Sequence, residues 1–222
     1  MREYQDVDTL LSSDENLLAA RWNVGCYVTF GTYPQTKAGT DKTAIEWQVL
    51  ERSGDSALII SRYGLDYKPY NIGQTGITWE SCTLRSWLNN EFYNKAFTGA
   101  EQAQIQTTIV DNSKSRHDTT GGSNTEDKIF LLSYAETDGY FPGDSEKDCE
   151  LTDYALEQGG WTLPTDQERQ GLSRIKQYWL RSPGYKQDSA DTVSCDEDGC
   201  HYYFTSVSIT EAVRPALWIT IL

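Results

Sequence analysis

The sequence predicts one mixed α+β domain of twisted antiparallel sheets with two flanking helices and long loops. Three observations carry that reading: strand-like alternation in the first third, a switch to three-and-four spacing at residues 82–92, and short β segments near the C-terminus. A chain of 222 residues with seven Trp, fourteen Tyr and six Phe can bury a full-sized core, and that length favours one large domain over two. Residues 1–23 are set apart as an N-terminal extension and residues 24–222 as the domain.

Taken in order, the acidic extension places Leu10, Leu11, Leu17, Leu18 and Trp22 at roughly helical intervals, so a short helix is expected there. Alternation around Tyr27 and Thr29 marks a first strand. Ile45–Leu50 and Ala57–Ser61 then flank the turn Ser53-Gly54-Asp55, as in an antiparallel meander. From Cys82 to Phe92 the period changes: Leu84, Trp87, Leu88 and Phe92 share one face of a helix for which Ser81 is the expected cap. Thr98-Gly-Ala-Glu101 is a capping box, in which hydroxyl and carboxylate satisfy opposite orphan amides. Residues 111–127 are polar and glycine-bearing and are expected as an exposed loop with nothing to bury. Lys128–Ser133 is expected as a buried strand, and Trp161–Thr165 leads into a helix start at Asp166-Gln-Glu168. Strands are expected at Tyr178–Arg181, near Val193, at Tyr202–Thr205 and at Val213–Leu222, the last of them paired with the first strand. Leu84, Trp87, Leu88, Trp179, Leu180 and Trp218 are the expected core.

The balance of 19 Lys+Arg against 33 Asp+Glu gives a formal charge of −14, which repels phosphate backbones and anionic lipid. Nucleic acid and membrane surfaces are therefore excluded as expected partners. No stretch reaches the roughly twenty apolar residues of a membrane span, and the first residues lack the profile of a secretory signal. Five widely scattered cysteines fit neither a dense disulfide framework nor paired zinc ligands, so most are expected as free thiols.

Four ordered blocks carry a resemblance: Trp79-Glu-Ser-Cys-Thr-Leu-Arg-Ser-Trp-Leu-Asn89, Ile129–Ser133, Trp179-Leu-Arg-Ser-Pro-Gly184 and Val213-Arg-Pro-Ala-Leu-Trp-Ile219. Together they resemble a domain-of-unknown-function family common in gut bacteria that looks like a branch of the C-type-lectin fold. Trp161–Glu168 and the late Arg-Pro are similar to the formylglycine-generating-enzyme subgroup of that fold. The same subgroup supplies the variable proteins of diversity-generating retroelements. The resemblance implies a C-type-lectin-like fold and a non-catalytic recognition role with a protein or glycan ligand; the compartment is left open, with cell-surface or phage-associated display compatible with it.

Between the two bulky ends of the last segment, residues 185–211 are mostly Tyr, Ser, Asp, Thr and His. Such residues supply contact area and adaptable hydrogen bonds at low entropic cost. Tyr, Ser, Asp and His are also reachable from asparagine codons by changing adenines. Tyr185, Asp188, Ser189, Asp191, His201, Tyr203, Ser206 and Ser208 are the candidate ligand-binding residues, expected on one exposed face with Tyr202 beside them. The bland alternative is a solvated surface on a structural or assembly domain.

No catalytic residue, cofactor or metal is assigned. The acidic group Asp188, Asp191, Asp196, Glu197 and Asp198 lacks calcium-loop spacing, and the Glu-Pro-Asn and Trp-Asn-Asp signatures of calcium-dependent lectins are missing. Cys195 and Cys200 have the spacing of the copper pair in formylglycine-generating enzymes, and two thiolates suit Cu(I), but the flanking residues differ. The pair is instead expected to bracket a hairpin turn at Asp198-Gly199. An oxidase using these two cysteines is the competing enzymatic reading. His117 and His201, the only histidines, stand in no catalytic spacing.

Overall fold

The computed structural model describes residues 20–113, 116–159 and 176–221. The expected helices at residues 1–23 and after Trp161 lie outside these residues, apart from residues 20–23 at the end of the first.

The described chain is α+β, with mostly antiparallel sheets and a few short helices. The first sheet has the order β1-β2-β3-β11, from Tyr27–Tyr33, Thr43–Ser53, Ser56–Ser61 and Ala216–Thr220. The second has the order β4-β10-β7-β8-β9, from Asp66–Pro69, Thr210–Val213, Lys176–Pro183, Ser189–Asp196 and Gly199–Ser206. Only the β10–β7 pairing in it is parallel. A ribbon of β5 (Thr108–Val110) and β6 (Thr125–Asp127) stands apart.

The last strand pairs with β3 and not, as expected, with β1. The expected closing strand Val213–Leu222 is also two strands in two different sheets. Pro215 sits at the break, where its missing N–H cannot continue a ladder, and its carbonyl accepts from Ser61 N at 2.9 Å. Arg214 turns inward there: Nε donates to Ser61 O at 3.0 Å and its guanidinium lies 5.1 Å from the Phe141 ring centre. The two sheets are thus stitched where β3 leaves and β11 returns.

The helix expected at 82–92 is real but composite. It runs as α1 (Thr83–Trp87), a π-type turn (Leu88–Phe92) and α2 (Tyr93–Ala96). Its cap is Cys82, whose Sγ accepts from Arg85 N at 3.4 Å. Ser81 belongs to a preceding 3₁₀ turn. The capping box of Thr98 and Glu101 opens α3 (Gly99–Gln102).

Lys128–Ser133 is buried over Ile129–Leu132 but is not a strand. Asn89 Oδ1 accepts from Lys128 N and Ile129 N at 2.8 and 3.1 Å, and Phe130 makes a single bridge to Ala216. With side chain and bridge satisfying the backbone, no ladder is needed. Ser133 then caps α4 (Tyr134–Tyr140), and α5 (Asp144–Lys147) and α6 (Asp153–Gln158) follow.

Two apolar cores flank the second sheet. Trp179 faces the main one, with Trp47, Ile59, Leu88 and Phe92. Its neighbours Tyr178 and Leu180, one residue either side on β7, face a smaller one with Val193, Cys195 and Cys200. Of the expected core, Leu84, Leu88, Trp179 and Leu180 are buried, whereas Trp87 and Trp218 are half-buried packing on its edge.

Candidate ligand-binding face

The last hairpin is held in one register. Strands β8 and β9 pair from Ser189 opposite Ser206 to Asp196 opposite Gly199. Gly199 closes the turn with φ +123°, a backbone region that favours glycine, and Asp198 N donates to Asp196 Oδ1 at 2.9 Å. Cys195 and Cys200, directly opposite each other, form a disulfide; Cys26, Cys82 and Cys149 are free. A bridge between facing strands forbids the one-residue slip that would turn every side chain over.

Strand alternation divides the candidate residues, so the single exposed face expected of them does not exist. His201 and Tyr203 point to the side of Thr192, Ser194 and Thr205. There Gln177 Nε2 donates to Thr192 Oγ1 and Thr205 Oγ1 at 2.9 and 2.7 Å. Asp188, Ser206 and Ser208 gather at the hairpin's open end around Gln74. Its Nε2 donates to Asp188 Oδ2 at 3.3 Å, and its Oε1 accepts from Ser208 Oγ at 2.5 Å and from Ser206 Oγ.

Ser189 and Asp191 are buried rather than on the surface. Ser189 Oγ donates to Lys186 O at 2.8 Å and accepts from Lys186 N at 3.1 Å, closing the turn between β7 and β8. Asp191 is wholly enclosed, and neither carboxylate oxygen has a hydrogen-bond partner among the described residues. Burial pushes its pKa up to about 7, against the pull of Arg116.

The side of the hairpin that bears Asp191 and Phe204 faces the polar loop. Residues 116–120 of the loop, expected to have nothing to bury, instead pack on it. Asn112 is buried, and at Gly121 a Cβ would stand 1.9 Å from Asn112 O, so only glycine lets the two strands of the loop meet. Thr119 Oγ1 donates to Tyr185 O at 3.2 Å, and Gln187 Nε2 donates to Thr120 O at 3.2 Å. The loop's far end is anchored by Asp127, which accepts from Trp79 Nε1 at 2.8 Å and pairs with Arg85 Nε at 2.6 Å.

This docking builds an aromatic patch. The His117 ring meets Tyr185 and Phe204 edge-on at 5.6 and 6.2 Å, and the latter two lie 6.1 Å apart. Tyr185 and Phe204 remain 61% and 51% exposed, so this side presents two adjoining large rings to solvent. Beside them Tyr134 and Tyr202 meet at 4.5 Å, with the Arg116 guanidinium 4.8 and 5.6 Å from their ring centres.

A cavity of about 460 Å³ opens next to this patch, between the loop, the start of α4 and the end of β7. Arg181 stands in its wall, 3% exposed. Its Nη2 donates to Asp111 O at 3.0 Å and Glu136 Oε1 at 2.8 Å, and its Nη1 to Leu131 O at 2.8 Å and to Glu136 Oε2. Glu136 is thus both the capping-box acid of α4 and the carboxylate partner of Arg181.

Sequence reasoning named Tyr185, Asp191 and Tyr202 on this side of the hairpin. It missed Phe204, whose apolar character suits a core position, and Arg116 and Tyr134, which are distant in sequence. Among the described residues no group of three or more metal-ligating side chains occurs. No helix there is long and apolar enough to cross a membrane.

No curated protein and no solved structure matches the chain. A family model described as a domain of unknown function, DUF6273, matches residues 54–221. That span runs from before β3 through β11 and includes the hairpin, the loop and the cavity wall, and on this match the chain belongs to the DUF6273 family.

Proposed function

We propose that the chain is a non-catalytic recognition domain that binds its ligand on the patch formed by Tyr185, Phe204 and His117 with the adjoining Arg116, Tyr134 and Tyr202. The observation that carries this reading is the exposure of Tyr185 and Phe204 on a hairpin whose register is locked by a disulfide. Large, rigid rings presented at a fixed position supply contact area with little entropy to lose on binding. The two sulfurs are bonded to each other, which speaks against their use as copper ligands.

In this reading the domain is C-type-lectin-like, of the formylglycine-generating-enzyme subgroup, and similar to retroelement variable proteins. The support is a separation of roles: Tyr185, His201 and Tyr203 face solvent, while Trp179 on β7 and Leu217 on β11 are buried. Exposed positions of that kind can change without disturbing the core.

The test pairs the parent with a Tyr185→Ala/Phe204→Ala double variant, both immobilised and screened against a displayed random peptide library and an array of defined glycans. Ligands selected on the parent should be lost on the variant, with a melting temperature changed by no more than a few degrees. Selected ligands that hold equally well to both proteins sink the reading.

A further inference from the structure

We infer that the cavity beside the aromatic patch is a subsite for a neutral, hydroxyl-rich sugar ring, an inference that rests on the recognition reading and names its ligand chemistry. The volume of about 460 Å³ lies within the roughly 300–1,000 Å³ of small-molecule sites.

The wall is polar but its formal charges cancel. Arg181 is matched by Glu136 through two parallel hydrogen bonds, and the exposed Arg116 and Asp111 add one charge of each sign to the lining. Such a wall holds no surplus charge to select an anion or a cation, and the chain's formal charge of −14 adds a field that repels anionic ligands.

The unmatched groups narrow the choice further. Arg181 Nε, a donor, and Asn112 Oδ1, an acceptor, have no hydrogen-bond partner among the described residues, although both side chains line the cavity and both are more than nine-tenths buried. They lie on adjoining parts of the wall, since Arg181 Nη2 bonds the carbonyl of the residue before Asn112. A carboxylate would satisfy Nε and be repelled by the amide oxygen; an ammonium would do the reverse. A hydroxyl donates to one and accepts from the other. Both atoms are screened from solvent, so side chains of the cavity wall must shift for the ring to reach them, and leaving them unmatched costs free energy that such a ligand recovers. The half-buried Tyr134 ring supplies an apolar face for the ring's C–H side, while Asp111, Ser113 and Arg116 at the rim can bond its outer hydroxyls.

The experiment titrates the full chain with glucose, galactose, mannose and N-acetylglucosamine, and with glucuronic acid and glucosamine as charged counterparts, following backbone amide NMR signals. At least one neutral sugar should shift the signals of residues 111–113 and 134–136. The charged counterparts should bind at least about tenfold more weakly, a difference that reads directly as a ratio of dissociation constants. Ala135→Trp, which fills the cavity from an exposed position on α4, should abolish the shifts, and Ser113→Trp does the same from the loop should the first variant not fold.

No shift with any neutral sugar, equal binding of the charged ones, or full binding by a folded tryptophan variant overturns the inference. If the sugars fail while peptides selected on the parent are lost on Tyr185→Ala/Phe204→Ala, the sugar subsite falls and the recognition reading stands. If the sugars fail and no selected ligand depends on those rings, both fall.

Discussion

Replacing Asp191 by asparagine isolates the cost of placing an ionisable group under the aromatic patch. Asp191 is fully enclosed with both oxygens unpartnered, and burial raises its pKa from 3.8 to about 7. In the unfolded chain the carboxyl ionises above its ordinary value, whereas in the fold it keeps its proton until about pH 7. The fold therefore binds more protons than the unfolded chain between these values. Stability is highest below the lower one, declines as pH rises through the window, and levels off above about pH 7. At about 1.4 kcal/mol for each tenfold change in proton affinity, the full effect has a ceiling of about 4 kcal/mol. Asparagine has nearly the same shape and cannot ionise. Asp191→Asn should match the parent at low pH and exceed it by about 2–4 kcal/mol above neutrality. Urea unfolding of both proteins, followed by tryptophan fluorescence from about pH 4 to about pH 8.5, measures this. Glu211, which burial also raises to about 7, titrates in both proteins and cancels in the difference. A stability difference that stays constant with pH refutes the argument.

Trp179→Ala should cost about 3–5 kcal/mol in urea unfolding by opening a cavity in the main core. Trp87→Ala should cost clearly less, because that ring is half-buried. Cys195→Ser with Cys200→Ser should leave the fold intact but lower stability by about 2 kcal/mol, the loop entropy of so short a closure; in the parent, alkylation under denaturing, non-reducing conditions should modify the three free cysteines alone. Gly121→Ala should detach the loop from its own Asn112 strand, since the added methyl meets Asn112 O at 1.9 Å, and should be read as faster amide exchange at residues 111–122 with the main core unchanged.

What the sequence makes legible is what repeats locally. The meander β1–β3, the switch to helical spacing at Leu84 and Leu88, and the Thr98/Glu101 capping box each depend on residues within a dozen positions of one another, and each is present. Lys128–Ser133 misleads because an apolar run signals burial and not pairing, and its hydrogen bonds go to Asn89, some forty residues away. The polar loop misleads in the other direction. Its small and polar residues read as solvated, yet Asn112, Thr125 and Asp127 are buried because each bonds a specific distant or facing group. Of the candidate site, composition located the hairpin correctly. The face of each residue depends on register, and register is set by the Cys195–Cys200 pairing that the spacing alone leaves open.

The placement of the patch follows from the stitching of the two sheets. Because β7 carries Trp179 into the main core and Tyr178 and Leu180 into the smaller one, the second sheet is covered on both sides near its centre. β8 stays buried up to its last residue, and it is the edge strand β9 that comes out of that cover. Tyr202 sits over the smaller core beside Tyr134, and two residues on, Phe204 meets the rings of His117 and Tyr185 and stays half-exposed. The same strand thus passes from core to display within a single repeat of its pleat. A loop that packs against this exposed stretch through His117 and Arg116, while anchored by Asp127 to Trp79 and Arg85 on the α1 side, bounds both the aromatic patch and the cavity. Rigid support on one side and contact residues on the other is the arrangement a binding surface requires to be pre-organised, because the free energy of ordering it is spent on folding and not on capture.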